Sequence, residues 1–110
     1  INGSVKKIPN VHDKKEIKVP AIGWNTVTSK NNISKMSIID KNLLTPFYFT
    51  HSFYCEPADK NIISSSTRLK NFEYCSSISL NKMNALQFHP EKSGEYGLKL
   101  YKNFFDVCKN

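Results

Sequence analysis

His89 and Glu91, separated only by Pro90 at the end of the apolar run Met83 to Phe88, are the residues of this chain best placed to do chemistry. A strand tip holds a histidine rigidly enough to serve as a base. A carboxylate two residues on can fix the ring and stabilise its charged form. Pro90 presets the bend between them. Taken alone, a His-x-Glu string reads more simply as a loop ion pair at the end of a surface strand. The other reactive candidates are the thiols of Cys55, Cys75 and Cys108. An odd number with no C-x-x-C pair argues against a disulfide framework or a zinc site, and for a reducing compartment. Neither Tyr54-Cys55-Glu56 nor Tyr74-Cys75-Ser76 is a glycine-flanked turn that would expose a low-pKa thiolate at a helix N-terminus, and Cys108 ends a helical pattern. All three read as structural thiols, and no metal or cofactor is expected.

The elements that must position His89 follow from spacing. The run Pro46 to Tyr54 is a dense aromatic strand, with Phe47, Phe49, His51 and Phe53 on one face and Tyr48, Thr50, Ser52 and Tyr54 on the other. Further strands are predicted over 62–67, 72–78 and 83–88. The pieces Arg68-Leu-Lys-Asn and Leu80-Asn-Lys between them are of hairpin length. A helix is predicted over 94–108, with Ser93 to cap it. Gly97, Leu100, Tyr101, Phe104, Phe105 and Cys108 fall on one helical stripe, which needs a sheet to cover. Upstream, residues 4–8 read as a strand or turn followed by a loop, and His12 in that loop has no assigned role. The stretch 19–25 holds a Pro, a Gly and the only Trp, which suggests a bend presenting a large ring; a Trp anchoring the core is the equal alternative. Thr26-Val-Thr suggests a strand edge, and 27–44 reads as a loop with a short helical turn.

Composition narrows the classes. At 110 residues the chain is at most one small domain, and its 39% hydrophobic content is enough for a core. No apolar run approaches the roughly 18 residues of a membrane span. The net charge of +7 suggests nucleic acid, but the lysines are scattered and Arg68 is the only arginine. Bidentate readers of bases or phosphates are therefore nearly absent, and a solvated lysine coat is the better reading. Asn2-Gly-Ser and Asn32-Ile-Ser match the glycosylation triplet, yet the opening Ile1-Asn-Gly-Ser is no signal peptide to support them. The start also lacks an initiator Met, so processing or truncation is expected.

Two strings carry a resemblance. Gln87-Phe88-His89-Pro90-Glu91, followed by Gly97 and Asn103-Phe104, resembles the C-terminal triad segment of class I glutamine amidotransferases. Pro20-Ala-Ile-Gly-Trp24-Asn25 and Tyr48-Phe-Thr-His-Ser-Phe53 are similar to signatures of one family among them, the glutaminase subunit of imidazole glycerol phosphate synthase. That family usually has Tyr where this chain has Phe53.

The resemblance covers nearly all of 1–110 and implies the C-terminal portion of a single α/β, flavodoxin-like amidotransferase domain. It implies a Cys-His-Glu triad with His89 as base and Glu91 as its orienting acid. The family's nucleophile lies in a G-x-C-x-G elbow, a string this sequence does not contain. The nucleophile-bearing N-terminal half is therefore expected to be absent and the chain alone inactive. The resemblance also implies Ser52 and Phe53 along the glutamine by backbone contacts. Trp24, Asn25, Tyr48, His51 and Lys92 are implied at or near a docking face for a TIM-barrel cyclase subunit. That cyclase receives the ammonia in histidine biosynthesis. A cytoplasmic heterodimer, with no nucleic-acid or membrane partner, is the expectation. Two alternatives stay open: a paralogue feeding ammonia to a surface-sugar synthase, and a non-catalytic binding or regulatory module of the same fold.

Overall fold

The computed structural model describes residues 1–31 and 33–109, so Asn32, with its glycosylation triplet, lies outside the described residues. The described residues form nine strands and one α-helix. The strands are β1 (Gly3–Lys7), β2 (Val11–His12), β3 (Lys15–Glu16), β4 (Ala21–Ser29), β5 (Leu44–His51), β6 (Phe53–Pro57), β7 (Ile63–Leu69), β8 (Phe72–Leu80) and β9 (Met83–Leu86). The helix α1 spans Gly94–Cys108, as its periodicity predicts. The architecture is mixed α/β, with a curled antiparallel sheet and a C-terminal helix.

The main sheet runs β5-β4-β7-β8-β9, and every neighbouring pair is antiparallel. The expected hairpins form: Lys70 and Asn81 take positive φ angles of 55° and 54° between β7 and β8 and between β8 and β9. Smaller two-stranded sheets pair β1 with β6 and β2 with β3. The sheet closes on itself just beyond β9, where the His89 backbone N–H donates to the Tyr48 carbonyl of β5 at 2.9 Å. The apolar side chains inside the curl are Val27, Ile39, Phe47, Phe49, Tyr74, Phe88 and Leu100. Phe47 and Phe88 have ring centroids 4.6 Å apart with their planes tilted by 35°, so the run before the histidine is anchored by packed aromatic side chains. A second cluster of Ile8, Ile17 and Ala21 lies under the N-terminal hairpin.

Five expectations are corrected. The stretch 19–25 is not a bend. It enters β4, a nine-residue strand whose full length pairs with β5 or β7, with Trp24 opposite Tyr48. Nor do the described residues between β4 and β5 hold a helical turn. Their local bonds close two isolated turns, Ser37 N–H to the Ser34 carbonyl and Leu43 N–H to the Asp40 carbonyl, and other groups bond to distant amides: Ile38 N–H donates to Asn84 Oδ1, Asn84 Nδ2 donates to the Met36 carbonyl, and Asn103 Nδ2 donates to the Ile38 carbonyl. The aromatic strand over 46–54 breaks at Ser52 into β5 and β6, which belong to different sheets. The Ser52 carbonyl is taken by the Ile8 N–H at 2.8 Å, so the chain leaves the main sheet there to pair with β1. Phe53 consequently turns out to solvent while Phe47 and Phe49 stay buried.

Ser93 stands at the N-cap position without capping; its hydroxyl is used elsewhere. The helical stripe is also displaced. α1 buries Gly97, Leu100 and Val107, whereas Tyr101, Phe104 and Phe105 remain exposed. Gly97 is required where it stands. A Cβ there would lie 1.8 Å from the Pro90 carbonyl oxygen, so only glycine lets the helix press its first turn onto the His89–Glu91 bend.

Candidate active site at the closure of the sheet

His89 ends the run that follows β9, and Pro90–Lys92 turns as a short 3₁₀ helix into α1. Within this turn the His89 Nδ1 lies 3.2 Å from Glu91 Oε1. Both groups are partly exposed, and ion pairs in such settings contribute only ~0–1 kcal/mol to stability. Its consequence is orientation: Glu91 engages Nδ1 and leaves Nε2 as the nitrogen for a reacting group.

The backbone beneath the histidine is clamped by a residue that sequence reasoning took for a helix cap. The buried Ser93 hydroxyl donates to the His89 carbonyl at 2.7 Å and accepts from the Tyr48 N–H at 3.0 Å. Together with the His89 N–H to Tyr48 carbonyl bond, this ties the turn to β5 by two bonds and closes the turn on itself by a third. A Ser four residues after a candidate base was visible in the sequence. Its partner 45 residues away was not.

The remaining candidates divide into two groups. Tyr48 gathers the first on the outer face of β4 and β5. The Lys92 ammonium lies over its ring, 5.7 Å from the centroid, and the Trp24 ring meets it edge-on at 6.1 Å. Trp24 is 54% exposed, which answers the core-or-surface question in favour of the surface. Asn25, next along β4, points the other way by strand alternation and lines a cavity of about 420 Å³ with Ile17, Lys18 and Lys70. His51 likewise occupies the face of β5 opposite Tyr48. Its Nδ1 donates to the Phe53 carbonyl at 2.8 Å, and its Nε2 lies 3.0 Å from the Tyr74 hydroxyl. Burial lowers the His51 pKa; the Phe53 carbonyl opposes that shift and the nearby His89 reinforces it. Burial also raises the Tyr74 pKa, so its hydroxyl stays protonated. Sequence reasoning gave Tyr74 no role, since an aromatic residue in a strand ordinarily signals core.

The three thiols, Cys55, Cys75 and Cys108, are free and sit in different settings. Burial pushes Cys75 up to about 11. The small cleft that Cys55 and Cys75 share has neither His89 nor Glu91 in its walls. Cys108 is exposed at the C-terminal end of α1. Among the described residues, no group of three or more His, Cys, Asp or Glu is arranged to hold a metal ion. No helix among them is long and apolar enough to cross a membrane.

Comparison with known proteins adds relatives to this geometry. The chain is similar to the imidazole glycerol phosphate synthase subunit HisH of Dehalococcoides mccartyi, with 43% identity over 106 residues, 96% of this chain and 48% of the relative. The HisH subunit of Chlorobium luteolum is 40% identical over 105 residues, 94% of this chain and 49% of the relative. That of Methanosarcina barkeri is 40% identical over 110 residues, 98% of this chain and 50% of the relative. The chain thus spans about half the length of the curated relatives it matches. No family model matches it.

Proposed function

The chain belongs to the family of the imidazole glycerol phosphate synthase subunit HisH, over the half of that subunit that it spans, and from this premise we propose that it carries the histidine base and orienting carboxylate of a glutaminase site. The observation that carries the reading is the His89–Glu91 pair, with Nδ1 engaged at 3.2 Å and the turn beneath it clamped by Ser93. A tethered base with its second nitrogen turned to the reacting group is what thioester chemistry needs.

In this reading a cysteine thiol from the remainder of the protein passes its proton to His89 Nε2. The sulfur attacks the side-chain amide carbon of glutamine. The C–N bond then breaks as His89 returns the proton to the departing nitrogen, releasing ammonia. Water hydrolyses the thioester to glutamate and regenerates the thiol, with His89 again taking and returning a proton. Glu91 stabilises the imidazolium at each protonated stage. Ser52 and Phe53 lie along the glutamine. Trp24, Tyr48 and Lys92 form the centre of a face that docks a cyclase subunit, while Asn25 and His51 support it from the opposite faces of their strands. Ammonia passes to that cyclase in a cytoplasmic heterodimer serving histidine biosynthesis.

The test uses the full-length protein with its partner subunit and measures glutamate released from glutamine. His89→Asn is expected to lower kcat on the order of 10⁶-fold and Glu91→Gln on the order of 10⁴-fold, the pattern of a base and its orienting acid in a hydrolase triad. Wild-type rates in both variants would overturn the assignment.

A further inference from the structure

The break between β5 and β6 is held by two consecutive carbonyls. The Ser52 carbonyl accepts from the Ile8 N–H and the Phe53 carbonyl accepts from His51 Nδ1, each at 2.8 Å. The second bond depends on a tautomer. A carbonyl only accepts, so Nδ1 must carry a proton. In a neutral imidazole Nε2 is then an acceptor, and the Tyr74 hydroxyl 3.0 Å away is its donor. Tyr74 is buried, edge-on to Phe49 and aligned with Phe72, so its hydroxyl has little freedom to point elsewhere.

We infer that Tyr74 is a positioning residue for glutamine: through His51 it fixes the backbone at Ser52 and Phe53. The inference rests on the reading that these two residues lie along the substrate. It goes beyond that reading by assigning the geometry of the break to a hydroxyl on β8. Burial and the charge of His89 both favour a neutral His51, which the arrangement requires. A neutral His51 also spares the nearby His89 a second positive charge when it takes up a proton.

Tyr74→Phe keeps the ring and removes only the hydroxyl. In the full-length protein with its partner, the KM for glutamine is expected to rise roughly 3- to 10-fold, the loss of one neutral hydrogen bond, with a smaller change in kcat. His51→Leu should raise KM at least as much, and His51→Asn, whose amide nitrogen can reach the Phe53 carbonyl, should recover part of that loss. In the His51→Leu background, Tyr74→Phe should add nothing. Imidazole ¹⁵N shifts should show His51 protonated on Nδ1 in the wild type and a mixture of tautomers in Tyr74→Phe. An unchanged KM in Tyr74→Phe would overturn the inference, as would an equal Tyr74→Phe effect in both backgrounds or a wild-type His51 protonated on Nε2. A wild type that neither binds nor hydrolyses glutamine would instead overturn the functional reading beneath it. That failure would be recognisable because the His51 tautomer would still respond to Tyr74→Phe.

Discussion

Two antiparallel pairs in the same sheet solve burial in opposite ways. The β4–β5 pair puts aromatic rings into the curl, and Phe47 and Phe49 lie against Phe88, the residue before the histidine. The β7–β8 pair is also buried but fills its space with hydroxyls: Ser64, Ser65, Ser66, Thr67, Ser76, Ser77 and Ser79. Ser64 bonds Ser77 at 2.6 Å, and Ser65 bonds both Ser76 and Ser77. Rings gain stability from apolar area and contact with no need for a partner atom. Buried hydroxyls gain little even when paired and cost free energy when they are not. Thr67 Oγ1 and Ser79 Oγ have no hydrogen-bond partner among the described residues. The site is built at the aromatic end. There a few polar groups, Ser93 and His51 among them, each meet a defined partner.

Substitutions in the full-length protein, followed by denaturant unfolding, would sharpen or break this contrast. The largest effect is expected at the aromatic end. Phe47→Ala removes a ring that packs on Phe88 and Tyr96 and should cost about 3–5 kcal/mol. A cost below about 1 kcal/mol would mean that the rings do not anchor the histidine strand.

Ser93→Ala comes next. It leaves the Tyr48 N–H and the His89 carbonyl without the shared hydroxyl, and a loss of about 1–3 kcal/mol is expected. Under the proposed function, glutaminase activity should fall with it, because the turn carrying His89 is loosened. Normal stability with normal activity would show that the clamp does not matter.

The smallest effect has the opposite sign. Thr67→Val replaces an orphan hydroxyl by a methyl of similar shape, opposite the buried Val27 and Tyr74. Stability should rise by up to about 1 kcal/mol. A clear loss would mean that this hydroxyl is paired in the folded protein, and the two pairs would then differ less than their composition suggests.

Sequence alone determined the local features. His89 and Glu91 meet because one proline separates them. The helix over 94–108 follows from its own periodicity, and the β7–β8 and β8–β9 hairpins from the short pieces that join their strands. Each of these depends on contacts only a few residues apart in the chain, which spacing and turn chemistry encode directly.

What tertiary structure decided lies across long separations. β4 was hidden because both its faces carry apolar residues, Ala21 and Val27 inward and Ile22 and Trp24 outward, so no alternation marked it. The break at Ser52 depends on an N–H offered by Ile8. Ser93 gave up helix capping because Tyr48 and His89 present a donor and an acceptor to one buried hydroxyl, 45 and 4 residues away. Tyr74 reads as plain core until the curl brings His51 against its hydroxyl. At Ser52, Ser93 and Tyr74 a polar group meets its partner across the fold, and which partner is within reach is set by the folding of the sheet.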